Sequence, residues 1–256
     1  MALPSLFLSH GPPTLAIDPS PARDFLSNLG TQIERPAAVL CISAHWESLR
    51  PAVSLAERPE TIHDFGGFPD ELYRISYAAP GAPALAQRVV DLLEAAGLRP
   101  VPVPDRGLDH GAWVPLMLAY PAADIPVVQL SMQSLTGPAA HYAIGQALAP
   151  LRDEGVLIVG SGGAVHNLRH WFNDPDEIPA WATAFDDWLA AMVEAGAVDD
   201  LVDYRSRAPE AATAHPSEDH FLPLHVALGA VGEAVNGRVL HRSFQGSLSM
   251  AAYAFA

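Results

Sequence analysis

The sequence predicts a single α/β domain, spanning 1–256, with a mostly parallel, mixed central sheet, helices on both faces and an antiparallel hairpin at its C-terminal edge. Three observations predict it. Short apolar runs rich in β-branched residues alternate with longer Ala/Leu-rich stretches of helical period. Half of the 256 residues are hydrophobic, enough for one large core. Finally, 19 glycines and 24 prolines with only 17% charged residues describe a chain of many tight connections rather than a disordered one.

Residues 6–8, 38–43, 127–131 and 156–160 read as buried strands, since each is a short apolar run bounded by turn formers. Residues 83–96, 139–151 and 181–195 read as helices, with Gly97 and Gly155 where a helix end or the following turn needs a left-handed residue. Residues 239–244 and 248–254, separated by Gln245-Gly246-Ser247, read as the two strands of the edge hairpin. Residues 58–77 and 205–217 read as long irregular segments, the kind of loop that carries function. No internal repeat or linker interrupts the series.

Charge and cysteine content narrow the function. With 14 basic residues against 29 acidic ones, a net charge of −15, most of the surface repels a phosphate backbone or an anionic membrane, so nucleic acid and membrane partners are excluded. Arg169 and Arg242 leave open a local arginine site for a substrate carboxylate. The single cysteine, Cys41, lies in an apolar run and reads as core, which fits a reducing compartment. With no targeting segment or membrane span in the sequence, the expectation is a cytoplasmic protein, as a monomer or small homo-oligomer.

The eleven histidines are informative by position. His10 follows the run 6–8, His45 follows 38–43 and His166 follows 156–160. In open α/β sheets ligands gather beyond the carboxyl ends of the strands, so these three side chains are expected to converge on one site. Imidazole nitrogens suit zinc, iron or copper and leave coordination positions open for water, oxygen or substrate. The turn His10-Gly11-Pro12-Pro13 and the loop from Ser161-Gly162-Gly163 to His166 allow close backbone approach to such a site. The same glycine loop lacks the lysine and spacing of a phosphate-binding loop, and Ser161 lacks the G-x-S-x-G setting of a serine nucleophile. His63 reads as hydrogen-bonded within its loop, His110 as a pocket candidate in a polar turn, and His141, His170, His215, His225 and His241 as structural or surface residues.

Six segments in collinear order carry a family resemblance: His10-Gly11-Pro12-Pro13, Ser43-Ala44-His45-Trp46, Ile62-His63-Asp64-Phe65-Gly66-Gly67-Phe68-Pro69, Asp109-His110-Gly111-Ala112-Trp113, Val165-His166-Asn167-Leu168 and Asp219-His220-Phe221-Leu222-Pro223-Leu224. Over nearly the whole chain they resemble the LigB-like, class III extradiol ring-cleaving dioxygenases, and within these the DOPA 4,5-dioxygenase group. The resemblance implies one catalytic domain in which His10, His45 and His220 hold one divalent metal ion per chain. It places His110 and His166 as pocket histidines handling protons and substrate. The implied reaction inserts O2 into a catechol ring and opens it, with no organic cofactor.

Two points stay open at this level. The resemblance gives three histidines where better-known class III enzymes use two histidines and a glutamate, so Glu47, Glu218 or Asp219 is an alternative third ligand, and His166 an additional one. The metal is Fe(II) for oxygen chemistry or Zn(II), which suits the same ligands but has no redox chemistry. A zinc hydrolase or amidase, and a non-catalytic metal-binding member of the superfamily, are therefore the competing readings. Trp46, Phe65, Phe68 and Trp113 are candidates to pack on the substrate ring.

Overall fold

The computed structural model describes residues 2–232 and 235–256. In chain order the elements are β1 (Ser5–Ser9), α1 (Pro21–Gln32), β2 (Ala38–Glu47), β3 (Ala52–Ser54), α2 (Pro83–Ala95), β4 (Val101–Val103), α3 (His110–Ala119), β5 (Val127–Met132), α4 (Gly137–Leu148) and β6 (Val156–Gly162). There follow α5 (Leu168–Asn173), α6 (Ala180–Glu194), α7 (Val198–Val202), α8 (Tyr204–Arg207), α9 (Ala211–Ala214), α10 (Leu222–Gly229), β7 (Gly237–His241), β8 (Phe244–Gln245), β9 (Leu248–Ser249) and β10 (Ala252–Phe255).

Eight strands form one sheet in the order β4-β3-β5-β2-β6-β1-β10-β7. The central four, β5, β2, β6 and β1, run parallel, while β10 and β7 close one edge antiparallel. The expected mixed sheet and antiparallel C-terminal edge are both present. The edge pair is nevertheless built differently from the expected hairpin: its strands are β7 and β10, and Gly246, at φ +56°, turns a separate two-stranded ribbon of β8 and β9 between them.

The central strands show why their sequence does not alternate polar and apolar residues. Val39 and Cys41 of β2 face a core shared with α1 and α3, whereas Leu40 and Ile42 face one shared with α2, α4 and α10. A strand covered on both faces buries every side chain, so it reads as a continuous apolar run. Cys41 is fully buried, as expected. A third cluster packs α6 and the short helices α7 to α9 around Phe7, Tyr253 and Phe255. Part of the segment 205–217, expected to be irregular, thus forms α9 and the end of α8. Among the described residues no helix is long and apolar enough to cross a membrane.

Because β2, β6 and β1 are adjacent and parallel, their carboxyl ends lie along one edge of the sheet. His10 follows β1 directly, His45 lies in the last turnout of β2, where pairing with β5 shifts register between Ile42 and Glu47, and His166 lies four residues past β6. Two further elements arrive at this edge. Asp109 caps α3, its carboxylate accepting from the Ala112 N–H, which makes His110 the first residue of a helix rather than part of a turn. His220 immediately precedes α10, and its carbonyl accepts from the Gly163 N–H.

Candidate metal centre

At this edge three imidazoles converge through the same ring atom. His45 Nε2 lies 3.0 Å from His10 Nε2 and 3.3 Å from His220 Nε2. The other nitrogen of each ring lies near a possible acceptor. His220 Nδ1 donates to Asp219 Oδ2 at 2.5 Å, and His45 Nδ1 is 3.3 Å from Asp64 Oδ2. His10 Nδ1 donates to Ser161 Oγ at 2.9 Å, since the Ser161 hydroxyl proton is itself given to the Gly111 carbonyl.

That last bond originates in the sequence of α3. Pro115 lies inside the helix and has no N–H, so the Gly111 carbonyl, four residues back, has no helical donor. The Ser161 hydroxyl from β6 supplies one. A proline in α3 thereby sets the direction of a serine hydroxyl in β6 and the tautomer of a histidine after β1. Gly111 is also where a side chain has no room, because a Cβ there would meet Ser43 Oγ and the rings of His45 and His10. Gly11, at φ +60°, provides the left-handed turn that takes the chain away from His10.

With the protons on Nδ1, three Nε2 lone pairs point at one another, an arrangement that repels itself unless a cation lies between them. Two nitrogens bound to one divalent ion at about 2.0–2.1 Å stand about 2.9–3.4 Å apart for octahedral to tetrahedral angles. The observed 3.0 and 3.3 Å fall in that interval, so the donor set fits a metal ion. Each ligand candidate also has the acceptor on its second nitrogen that metal-bound histidines require. Burial holds the His10 imidazolium well below its ordinary pKa, reinforced by His45, His110, His220 and His166. Burial and the neighbouring His110 and His220 likewise push His45 down, against Asp64 and Asp219. Neutral rings with free lone pairs are what a metal needs.

Of the carboxylates proposed as alternative ligands, only Asp219 lies at the site, within 4.8 Å of ring nitrogens of His166 and His220. Glu218 accepts from Tyr204 and Arg205, Asp219 lies on the far side of the His220 ring from Nε2, and Glu47 lines a separate groove with Leu49 and Leu135. One residue that sequence reasoning gave no role, Asp64, emerges here. Asp64 joins two site histidines, Oδ1 receiving His110 Nδ1 at 3.0 Å and the His110 backbone N–H at 2.9 Å while Oδ2 faces His45. Burial acts to raise the Asp64 carboxyl, but the bonds and charge of His110 outweigh it and hold the group at about 2. Asp219 is held low for the same reason by His220. Asp64 stood within a quoted motif, but only the fold brings it against α3.

His166 stacks on His220, with ring centroids 3.5 Å apart and planes 7° from parallel. Burial, then His220 and His215, lower its pKa to about 2, against Asp219, so it too is neutral. All five site histidines line one cavity with Phe65 and Phe68. Trp46 and Trp113 do not reach it. Trp46 lies under the Arg106 guanidinium, and Trp113 is fully buried with its indole N–H on the Ile62 carbonyl. The aromatic wall is completed by Trp171 and Phe172 of α5. His63 Nε2 donates to the Ile75 carbonyl within its loop as expected, and buried His141, His215 and His225 donate to the Gly137, Ala164 and Leu201 carbonyls.

Comparison with known proteins shows the family. Residues 4–256 match the family described as the catalytic LigB subunit of aromatic ring-opening dioxygenase. A Beta vulgaris protein named 4,5-DOPA dioxygenase extradiol is 48% identical, over 98% of this chain and 96% of its own length. An Escherichia coli K12 protein of the same name is 44% identical over 89% of this chain and 85% of its own. The crystal structure of the uncharacterized protein JW3007 from Escherichia coli K12 superposes with a TM-score of 0.80 at 36% identity, covering 99% of this chain and 100% of that one.

Proposed function

Because the chain belongs to the LigB family of aromatic ring-opening dioxygenases, we propose that it is an Fe(II)-dependent extradiol dioxygenase that opens the ring of a DOPA-like catechol, with His10, His45 and His220 as the metal ligands and His166 and His110 as the proton-handling residues. The observation that carries this reading is the convergence of the three Nε2 atoms at 3.0 and 3.3 Å, with His110 and His166 lining the same cavity.

Bound there, a ferrous ion supplies the redox chemistry that joins O2 to an adjacent diol. The chain's own part is to bind, orient and deprotonate the catechol. His166 suits the role of base rather than ligand. Its ring stacks on the His220 ring, so its nitrogens face the cavity in a parallel plane rather than joining His10, His45 and His220, which would hold the ion. His166 lines the cavity beside His220 and is the residue placed to accept a catechol proton, a role that contributes about 10²–10⁴-fold. His110, with Nδ1 fixed on Asp64, directs Nε2 as its second proton site. Phe65, edge-on to His110 at 5.7 Å between centroids, and Phe68 border the ring's position and keep bulk water from it.

The acidic surface and the buried Cys41 support a cytoplasmic enzyme of small diffusible substrates, monomeric or a small homo-oligomer, without nucleic acid or membrane partners. The test is oxygen uptake on mixing catechols with protein loaded anaerobically with Fe(II), beside Zn(II)-loaded and His45→Ala controls. Uptake and a yellow ring-opened product with Fe(II) alone are expected. Stoichiometric metal without uptake for any diol would move the assignment to zinc hydrolysis or metal binding.

A further inference from the structure

We propose that the buried carboxylate of Asp109, paired with Arg106, is the positioning group of this site: it holds the His45 backbone in the place that brings its ring beside His110. The inference rests on the reading of His45 as a metal ligand and names what fixes it there.

His45 needs such a support because of where it sits in the sheet. Registered pairing of β2 runs to Ser43 with β6 and to Ile42 with β5, and resumes with β5 at Glu47, so His45 falls between registered pairs. Side chains take up its main-chain groups. The His45 N–H donates to Ser43 Oγ at 3.2 Å, and the His45 carbonyl accepts from Arg106 Nη2 at 3.4 Å. Both side chains end on Asp109: Ser43 Oγ donates to Oδ1 at 2.6 Å, and Arg106 Nη2 donates to Oδ2 at 2.8 Å. The Arg106 guanidinium also lies over the Trp46 ring, 5.1 Å from its centroid, which pins the residue after His45.

The same carboxylate starts α3. Asp109 Oδ1 accepts from the Ala112 N–H at 3.2 Å, and Oδ2 accepts from Gln129 Nε2 at 2.9 Å. Asp109 is fully buried and thus has four donors, the matching that a charge removed from water requires. One group therefore fixes the end of β2 and the start of α3. The His45 and His110 rings, one carried by each, stand 4.0 Å apart between centroids. A buried ion pair adds little stability over apolar packing of the same volume. What it supplies here is direction, because each donor must meet a particular oxygen for the charge to be matched. Ser43, Arg106 and Asp109 all lie outside the cavity lining, so they act through His45 and His110 and not on substrate.

Three variants of the whole chain, loaded with Co(II), separate positioning from plain support of the fold. Ser43→Ala removes the acceptor of the His45 N–H. Arg106→Met keeps a stem over Trp46 and removes the donors. Ser5→Ala is the comparator: it takes a buried hydroxyl from the Ala227 carbonyl at the end of β1 far from His10. The visible absorption of Co(II) reports the arrangement of its ligands, chelator competition its affinity, and urea unfolding of the metal-free protein the cost to the fold. We expect Ser43→Ala and Arg106→Met to shift the Co(II) bands and weaken Co(II) binding about 10-fold or more, and Ser5→Ala to keep both as in wild type whatever it costs in urea. The inference is overturned if Ser43→Ala or Arg106→Met folds and keeps the wild-type bands and affinity, or if Ser5→Ala shifts them equally. Should Arg106→Met not fold, Ser43→Ala decides alone. A wild type that binds no Co(II) overturns the metal site and this inference together. A wild type that binds Co(II) yet, loaded with Fe(II), consumes no oxygen with any catechol overturns ring opening alone, and the band shifts still decide the role of Asp109.

Discussion

The His166 ring lies flat against the His220 ring, 3.5 Å away and within 7° of parallel, whereas His220 Nε2 turns toward His45 Nε2 at 3.3 Å. His220→Ala is expected to abolish stoichiometric metal binding. His166→Gln is expected to keep the metal and lose about 10²–10⁴-fold in kcat/KM. Metal analysis of both purified variants beside oxygen-uptake kinetics checks this, and metal loss in His166→Gln would instead make it a ligand.

Asp64 hydrogen-bonds His110 Nδ1 and faces His45 Nδ1 at 3.3 Å. Asp64→Asn keeps the shape but offers an amide that can satisfy only one of the two donors. Metal affinity should fall about 10–100-fold, the usual effect of losing an acceptor behind a metal-bound histidine. Competition with a chelator reads this directly. An unchanged affinity would confine Asp64 to holding the N-terminus of α3.

Ser161 answers for a carbonyl that Pro115 leaves without a donor. Ser161→Ala therefore strands the Gly111 carbonyl and the His10 Nδ1–H together in a buried place. Urea unfolding of the metal-free protein should show a loss of about 1–3 kcal/mol. Ser161→Ala paired with Pro115→Ala should recover part of it, because the alanine N–H can close the helical bond to Gly111.

Acid should destabilise the fold ahead of carboxylate titration. Burial lowers His225 to about 4 and His215 to about 3, each against a backbone carbonyl that acts to raise it, from an unfolded value near 6.5. Between those values the unfolded chain binds the extra proton, so stability rises with pH there. The contribution is complete above pH 6.5 and is lost as pH falls, by about 3 kcal/mol for His225 near pH 4. Thermal melts from pH 7 to pH 4 on wild type and His225→Gln check it, the variant having the shallower dependence.

How much of this was legible beforehand depends on which physical signal each feature leaves. The central strands and the helices α2, α4 and α6 follow from apolar runs and helical period, and the convergence of His10, His45 and His166 follows from their place after parallel strands. Helices α3 and α10 leave no such signal. Apolar residues surround both, since each is buried on nearly every side, and an amphipathic period exists only where one face meets water. Strands β3 and β4, three residues each, are too short to show alternation.

The sequence by itself determined the fold class, the strand-end histidines and, through collinear motifs, the family. Only the tertiary structure decided that Ser161, Asp64 and Asp219 bond Nδ1 of His10, His110 and His220, that His166 stacks on His220, and that α5 walls the cavity. The physical reason is that strand patterns are written in neighbouring residues. A proton's position on an imidazole is set by an acceptor that, for Ser161 and His10, lies 151 residues away along the chain.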